Sequence, residues 1–146
     1  MASLTGAAAS APVRGLVVEL LGLSLQFAGR EAIAVPVPAA GTRSEPFTVK
    51  EGTECRAVVR FRVEGASVTG LRVRDVRSRS GSEPGAREVT LGDFRRGGPY
   101  ELALPPERVP SGPRARGPYE VYAELVDGDG RVLDRRDYRF EIRKSW

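Results

Sequence analysis

The chain has 146 residues, 40% hydrophobic and 29% charged, with 17 glycines and 11 prolines, which describes one turn-rich domain with a core of its own rather than a disordered chain or a helical bundle. It has no histidine and a single cysteine, Cys55, which excludes an internal disulfide, the usual zinc ligand sets and the commonest general base, and makes a reducing, cytoplasmic setting the expectation. The net charge of +4 is carried almost wholly by arginine, since Lys50 and Lys144 are the only lysines; such a surplus suits a solvated surface or a polyanion-binding face.

Residues 1–11 are small and polar with no basic stretch, so they read as a disordered tail rather than a signal peptide, and residues 12–146 as the folded domain. The apolar run Leu16–Phe27 carries Glu19 and Gln26 and is too short to span a bilayer. Within it Leu21, Leu23, Leu25 and Phe27 alternate with Gly22, Ser24 and Gln26, the period of a strand with one buried face. The clearest strand runs from 53 to 63. Thr53, Cys55, Ala57, Val59, Phe61 and Val63 fall on one side, and Glu54, Arg56, Arg60 and Arg62 on the other.

Leu71 and Val73 alternate with Arg72 and Arg74 in the same way. So do Tyr100, Leu102 and Leu104; Tyr119, Val121, Ala123 and Leu125; and Tyr138, Phe140 and Ile142. Turn-forming residues separate these runs at Lys50–Gly52, Ser80–Gly85, Arg95–Pro99 and Asp127–Gly130, while Pro105–Pro118 reads as a long irregular connection. Short strands, each with one wet face, predict an all-β antiparallel sandwich or barrel with no internal repeat.

No catalytic constellation is legible. Asp127-Gly-Asp129-Gly lacks the further acidic ligands of a calcium loop. Gly97-Gly98 leads into Pro99 rather than a phosphate-binding lysine, and there is no Gly-x-Ser-x-Gly turn. Cys55, on an apolar strand face, reads as packing rather than as a nucleophile. Arg56, Arg60, Arg62, Arg72, Arg74, Arg77 and Arg79 form a candidate nucleic-acid face. The aromatics Phe61, Tyr119, Tyr138 and Phe140 lie on the opposite, apolar side of their strands, so the stacking platforms of a single-strand binder are missing. Neither an enzyme nor a nucleic-acid binder is expected.

The succession of segments resembles the Rho GDP-dissociation inhibitors. Phe47 to Arg56 followed by Phe61-Arg-Val, then Val68-Thr-Gly-Leu71, Leu91-Gly-Asp-Phe94, Tyr100 to Pro105, Pro110-Ser-Gly, Ala115 to Tyr119 and the closing Ile142-Arg-Lys-Ser-Trp146 occur in that family's order over residues 12–146. The resemblance implies an immunoglobulin-like antiparallel β-sandwich with a lipid-accepting cavity between its sheets. It implies a cytoplasmic, monomeric carrier that meets membranes transiently, needs no cofactor and binds the geranylgeranyl or farnesyl group of a Rho-family small GTPase. By alignment the prenyl-lining candidates are Phe47, Val49, Cys55, Val59, Phe61, Val73, Leu102, Val121, Leu125 and Tyr138. Asp127 and Asp129 match the acidic turn that meets the GTPase.

The sequence also departs from the family. The family carries a long N-terminal arm that blocks nucleotide release, whereas only residues 1–11 precede the sandwich region here, so lipid carriage is expected without that block. The family is usually acidic and this chain is basic, which would weaken contact with a basic GTPase tail. Cys55, Ser67, Ser78 and Arg114 stand where the family tends to place bulkier apolar pocket residues. The alternative reading is a sandwich that has lost the lipid and recognises a protein through edge strands or its arginine face.

Overall fold

The computed structural model describes residues 15–38, 44–79 and 85–146; the expected tail, residues 1–11, lies outside them. Among the described residues ten strands follow in order: β1 (Val17–Phe27), β2 (Ile33–Val35), β3 (Phe47–Lys50), β4 (Glu54–Glu64), β5 (Val68–Ser78), β6 (Gly85–Phe94), β7 (Gly97–Ala103), β8 (Glu107–Arg108), β9 (Gly117–Val126) and β10 (Val132–Arg143). They form two sheets, one in the order β3-β10-β9-β5-β6 and the other in the order β2-β1-β4-β7, with β8 pairing the start of β4 beyond β7. Every pairing is antiparallel except β3 with β10, where Phe47 to Lys50 run alongside Phe140 to Arg143. The chain passes from β2 in one sheet to β3 in the other, so that crossover rather than a hairpin sets the direction of β3. Among the described residues no helix is long and apolar enough to cross a membrane.

β4 behaves as its alternation requires. Cys55, Val59, Phe61 and Val63 are buried between the sheets, while Arg56 and Arg60 stay exposed on the outer face. Facing them across the sandwich are Leu71 and Val73 of β5 and Leu125 of β9, and together with Val18 and Leu20 these make the main core. Each such side chain contributes about 1.5–3 kcal/mol by leaving water.

β1 differs from its expected phase. Val18 and Leu20 are the buried positions in its first half, and Leu21 sits at a register shift where Leu20 pairs Phe61 but Gly22 pairs Arg60. The bulge moves the inward set from even to odd positions, so Leu23, Leu25 and Phe27 face inward as expected but Leu21 does not join them. The amide of Leu20 donates to Asp134 Oδ2 at 2.7 Å, which satisfies a donor close to the disrupted ladder.

β5 holds a second correction. Asp75 lies opposite Ala123, and Arg77 opposite Val121. Directly paired residues share a face, so both charges point between the sheets and Arg77 leaves the surface arginine face. Others of that face are engaged locally: Arg62 pairs Glu19 at 3.5 Å and Arg72 pairs Glu88 at 2.8 Å.

The Pro105–Pro118 connection is irregular but pinned. Arg79 donates to the carbonyls of Arg114 (2.6 Å) and Arg116 (2.9 Å) and to the Tyr119 hydroxyl (2.7 Å). Glu51 accepts from the Gly112 amide at 2.6 Å and pairs Arg116 at 3.0 Å.

Candidate functional site

At the end of the sandwich where β3 and β10 face β1, β4 and β8, the sheets leave a cavity of about 40 Å³. Its floor on one sheet is Val49 with Tyr138, Phe140 and Ile142 of β10. Leu25 and Cys55 cover it from the other sheet, and Val109 and Pro110 close it beyond β8. Stacked rings stiffen the floor: Phe140 lies 5.0 Å from Tyr119 and 6.0 Å from Phe47, measured between ring centroids. Alternation along β10 brings all three of its residues inward, and the parallel pairing of β3 places Val49 beside Ile142.

One flank of this cavity is charged. Arg77, Glu107 and Arg108 line it. Arg77 on β5 pairs with Glu107 on β8, linking the two sheets, and its Nη2 also lies 3.4 Å from Asp75. Arg87 on β6 adds a second cation on Glu107 at 3.2 Å and donates to the Pro105 carbonyl at 2.8 Å. Glu107 reaches this interior because it pairs Cys55 across the ladder and therefore shares its face. Desolvation opposes the charge on Arg77, but the hydrogen bond and charge of Glu107 outweigh it and hold the guanidinium above its ordinary range. Asp75 is pushed up by burial despite the neighbouring Arg77.

The remaining titratable groups stay neutral. Burial, reinforced by Glu107, raises the Cys55 thiol to about 11, so it is not a thiolate nucleophile. Burial likewise raises the Tyr138 phenol above its ordinary value. Among the described residues no cluster of three or more metal-ligating side chains is placed to hold a metal. A cavity of this size holds a water molecule or so and falls far short of the ~300 Å³ or more of a typical ligand pocket, so a long chain enters only if the sheets part.

The structure brings three of the ten lining candidates together here: Val49, Cys55 and Tyr138. Phe47 and Val121 pack beside Tyr138 in the adjoining cluster. Val59, Phe61, Val73 and Leu125 belong to the main core, with Leu102 packed against it. Leu25, Phe140 and Ile142 join the lining as inward members of alternating strands. Val109, Pro110 and the charged flank come from a connection and a two-residue strand that carry no periodic signal. Of the departures noted in the sequence, Cys55 lines the cavity, Ser67 and Arg114 are exposed elsewhere, and Ser78 borders a separate depression with Arg79, Pro118 and Glu120.

The acidic turn splits into two roles. Asp127 is buried, and its Oδ1 accepts from the amides of Asp129 and Arg131, both at 2.9 Å. Asp129 points to solvent with 65% of its side chain exposed. The tip is docked on β5, because the Gly128 amide donates to the Thr69 carbonyl at 3.0 Å.

Comparison with known proteins places this geometry. The family model described as RHO protein GDP dissociation inhibitor matches residues 3–145. The chain is 33% identical over 134 residues to a Rho GDP-dissociation inhibitor of Schizosaccharomyces pombe, covering 88% of this chain and 65% of the relative. It is 32% identical over 131 residues to Rho GDP-dissociation inhibitor 1 of Arabidopsis thaliana, covering 88% and 55%. The chain thus spans between about half and two thirds of the length of these relatives. Among solved structures it resembles a Niemann-Pick type C2 protein from Japanese carpenter ant, with a TM-score of 0.53 and 10% identity over 82% of this chain and 98% of that one. It also resembles the C-terminal domain of wzt, with a TM-score of 0.52 and 12% identity over 88% and 75%; at such identities these two speak for the sandwich fold alone. A family match over nearly the whole chain, on an all-β two-sheet frame, settles the assignment: the chain belongs to the Rho GDP-dissociation inhibitor family, whose members are not enzymes.

Proposed function

We propose that this chain carries the prenyl group of a Rho-family small GTPase between membrane and cytoplasm, with residues 12–146 as the carrier domain. Family membership supports a Rho GTPase as the partner class. The observation that carries the lipid reading is the between-sheet cavity walled by Leu25, Val49, Cys55, Tyr138, Phe140 and Ile142. Each CH₂ drawn from a bilayer must find an equally dry site, worth about 0.8 kcal/mol. The chain enters beside Val49, Cys55 and Tyr138, displaces Phe47 and Val121, and as the sheets part advances toward Leu102, Val59, Phe61, Val73 and Leu125. The exposed Asp129 meets the GTPase surface, while Asp127 holds the turn that presents it.

The cavity's small volume favours one competing reading, a sandwich that binds a protein partner without lipid. Liposomes bearing a prenylated Rho GTPase separate the two. Release of the GTPase into the supernatant by this protein, with no binding of the unprenylated GTPase, supports carriage. Equal binding of the two GTPase forms contradicts it.

A further inference from the structure

Two hydrogen-bond donors on the cavity wall lack acceptors. Arg77 lines the cavity, its Nη2 is engaged by Glu107 and Asp75, and its Nε is buried without a partner. Tyr138 lines the same cavity, and its hydroxyl, which is not itself sealed from solvent, makes no hydrogen bond among the described residues. A buried donor without an acceptor is destabilising, and native proteins retain few. A bare hydrocarbon filling the cavity would leave Arg77 Nε without an acceptor and cover the Tyr138 hydroxyl. An apolar pocket with a few convergent polar groups is instead the pattern by which a site fixes a ligand's head.

The charges sharpen the chemistry. Arg77 and Arg108 line the cavity against the single carboxylate of Glu107. The other members of the cluster, Asp75 and Arg87, cancel each other. A ligand head therefore meets two donors and one net positive charge.

We infer that the cavity recognises an apolar chain by a free carboxylate at its head, received by Arg77 Nε and the Tyr138 hydroxyl. This rests on the reading that the cavity takes lipid. On a prenylated protein the matching group is the α-carboxylate of the lipidated C-terminal cysteine before esterification. A free fatty acid offers the same chemistry. The neutral phenol of Tyr138, held protonated by its burial, keeps its donor over the whole physiological range.

The test is calorimetric titration of the purified protein with N-acetyl-S-farnesyl-cysteine, its methyl ester and palmitate. The free acid is expected to bind about tenfold or more tightly than the ester, as for a hydrogen bond to a charged group. Tyr138→Phe removes only the orphaned hydroxyl, and Arg77→Lys keeps a cation for Glu107 while losing Nε. Both are expected to bring the acid-to-ester ratio toward one, and Tyr138→Phe to do so without lowering the melting temperature. Palmitate binding as tightly as the farnesyl acid assigns the site to fatty acids; much weaker palmitate binding assigns it to prenylated termini. Equal affinity for acid and ester, or a ratio unchanged in both variants, overturns the inference while leaving lipid carriage standing. Failure of every lipid to bind overturns both.

Discussion

Arg77 and Glu107 tie the two sheets together across the flank of the cavity. Arg87 shares the same carboxylate at 3.2 Å, so among the described residues Glu107 is the sole anion lining a site with two cations against it. Replacing it by Gln leaves both arginines partly buried with only Asp75 to balance them. Because these side chains are between a quarter and a third exposed, Glu107→Gln is expected to cost about 1–3 kcal/mol, between the values for surface and fully buried pairs. Thermal denaturation reads this as a lowered melting temperature. An unchanged temperature would mean that the pair contributes nothing to closing the sandwich.

The two aspartates of the β9–β10 turn should separate stability from recognition. Asp127→Ala removes two backbone hydrogen bonds from a buried carboxylate and should lose about 1–3 kcal/mol in denaturant unfolding. Asp129→Ala should stay within about 0.5 kcal/mol of the parent, as surface changes usually do, and weaken GTPase binding measured by surface plasmon resonance. Loss of stability in the Asp129 variant, or no change in affinity, would count against the assigned roles.

Alkaline pH should weaken the fold in a defined window. The Cys55 thiol moves from 9.0 up to about 11 on burial. A folded pKa raised above the unfolded one gives stability that is complete below the unfolded value and is lost as pH rises through the folded one. Stability should therefore decline between pH 9.0 and about 11, with the buried phenol of Tyr138 extending the loss further upward. Melting temperatures across this range should fall less steeply in Cys55→Ala. The thiol should also react slowly with a disulfide reagent at pH 8 until the protein unfolds.

Filling the cavity tests its role without adding charge. Val109 lines it just beyond β8, buried and held by backbone hydrogen bonds to Thr53 and Gly52. Val109→Phe should occupy the space at a cost of about 1–3 kcal/mol and weaken binding of a prenylated peptide at least tenfold. Unchanged binding by the folded variant would place the lipid elsewhere.

The sandwich was legible where alternation was unbroken, and β4 is the clearest case. It failed at Leu21, because a bulge inserts one residue and reverses the phase without leaving a mark in composition. It failed again at Asp75 and Arg77, which continue the inward phase of Leu71 and Val73 but carry charges that alternation assigns to water. β2, β3 and β8 are too short to show a period, and β6 is an edge strand whose positions are mostly half-buried or exposed. The site was only partly legible for a related reason. Alternation says which face a residue occupies, not which end of the sandwich, so Val49, Cys55 and Tyr138 could not be separated from Val59, Phe61, Val73 and Leu125. Arg77 and Glu107 come together only once β5 and β8 face each other.

The most direct measurement is a fluorescence titration of the folded protein with a labelled geranylgeranyl-cysteine peptide and its unlipidated counterpart. Saturable binding of the lipidated peptide alone, in the micromolar range or tighter, is the result this account predicts. Absence of binding, or equal binding of the two peptides, would contradict lipid carriage and leave the sandwich as a protein-binding module.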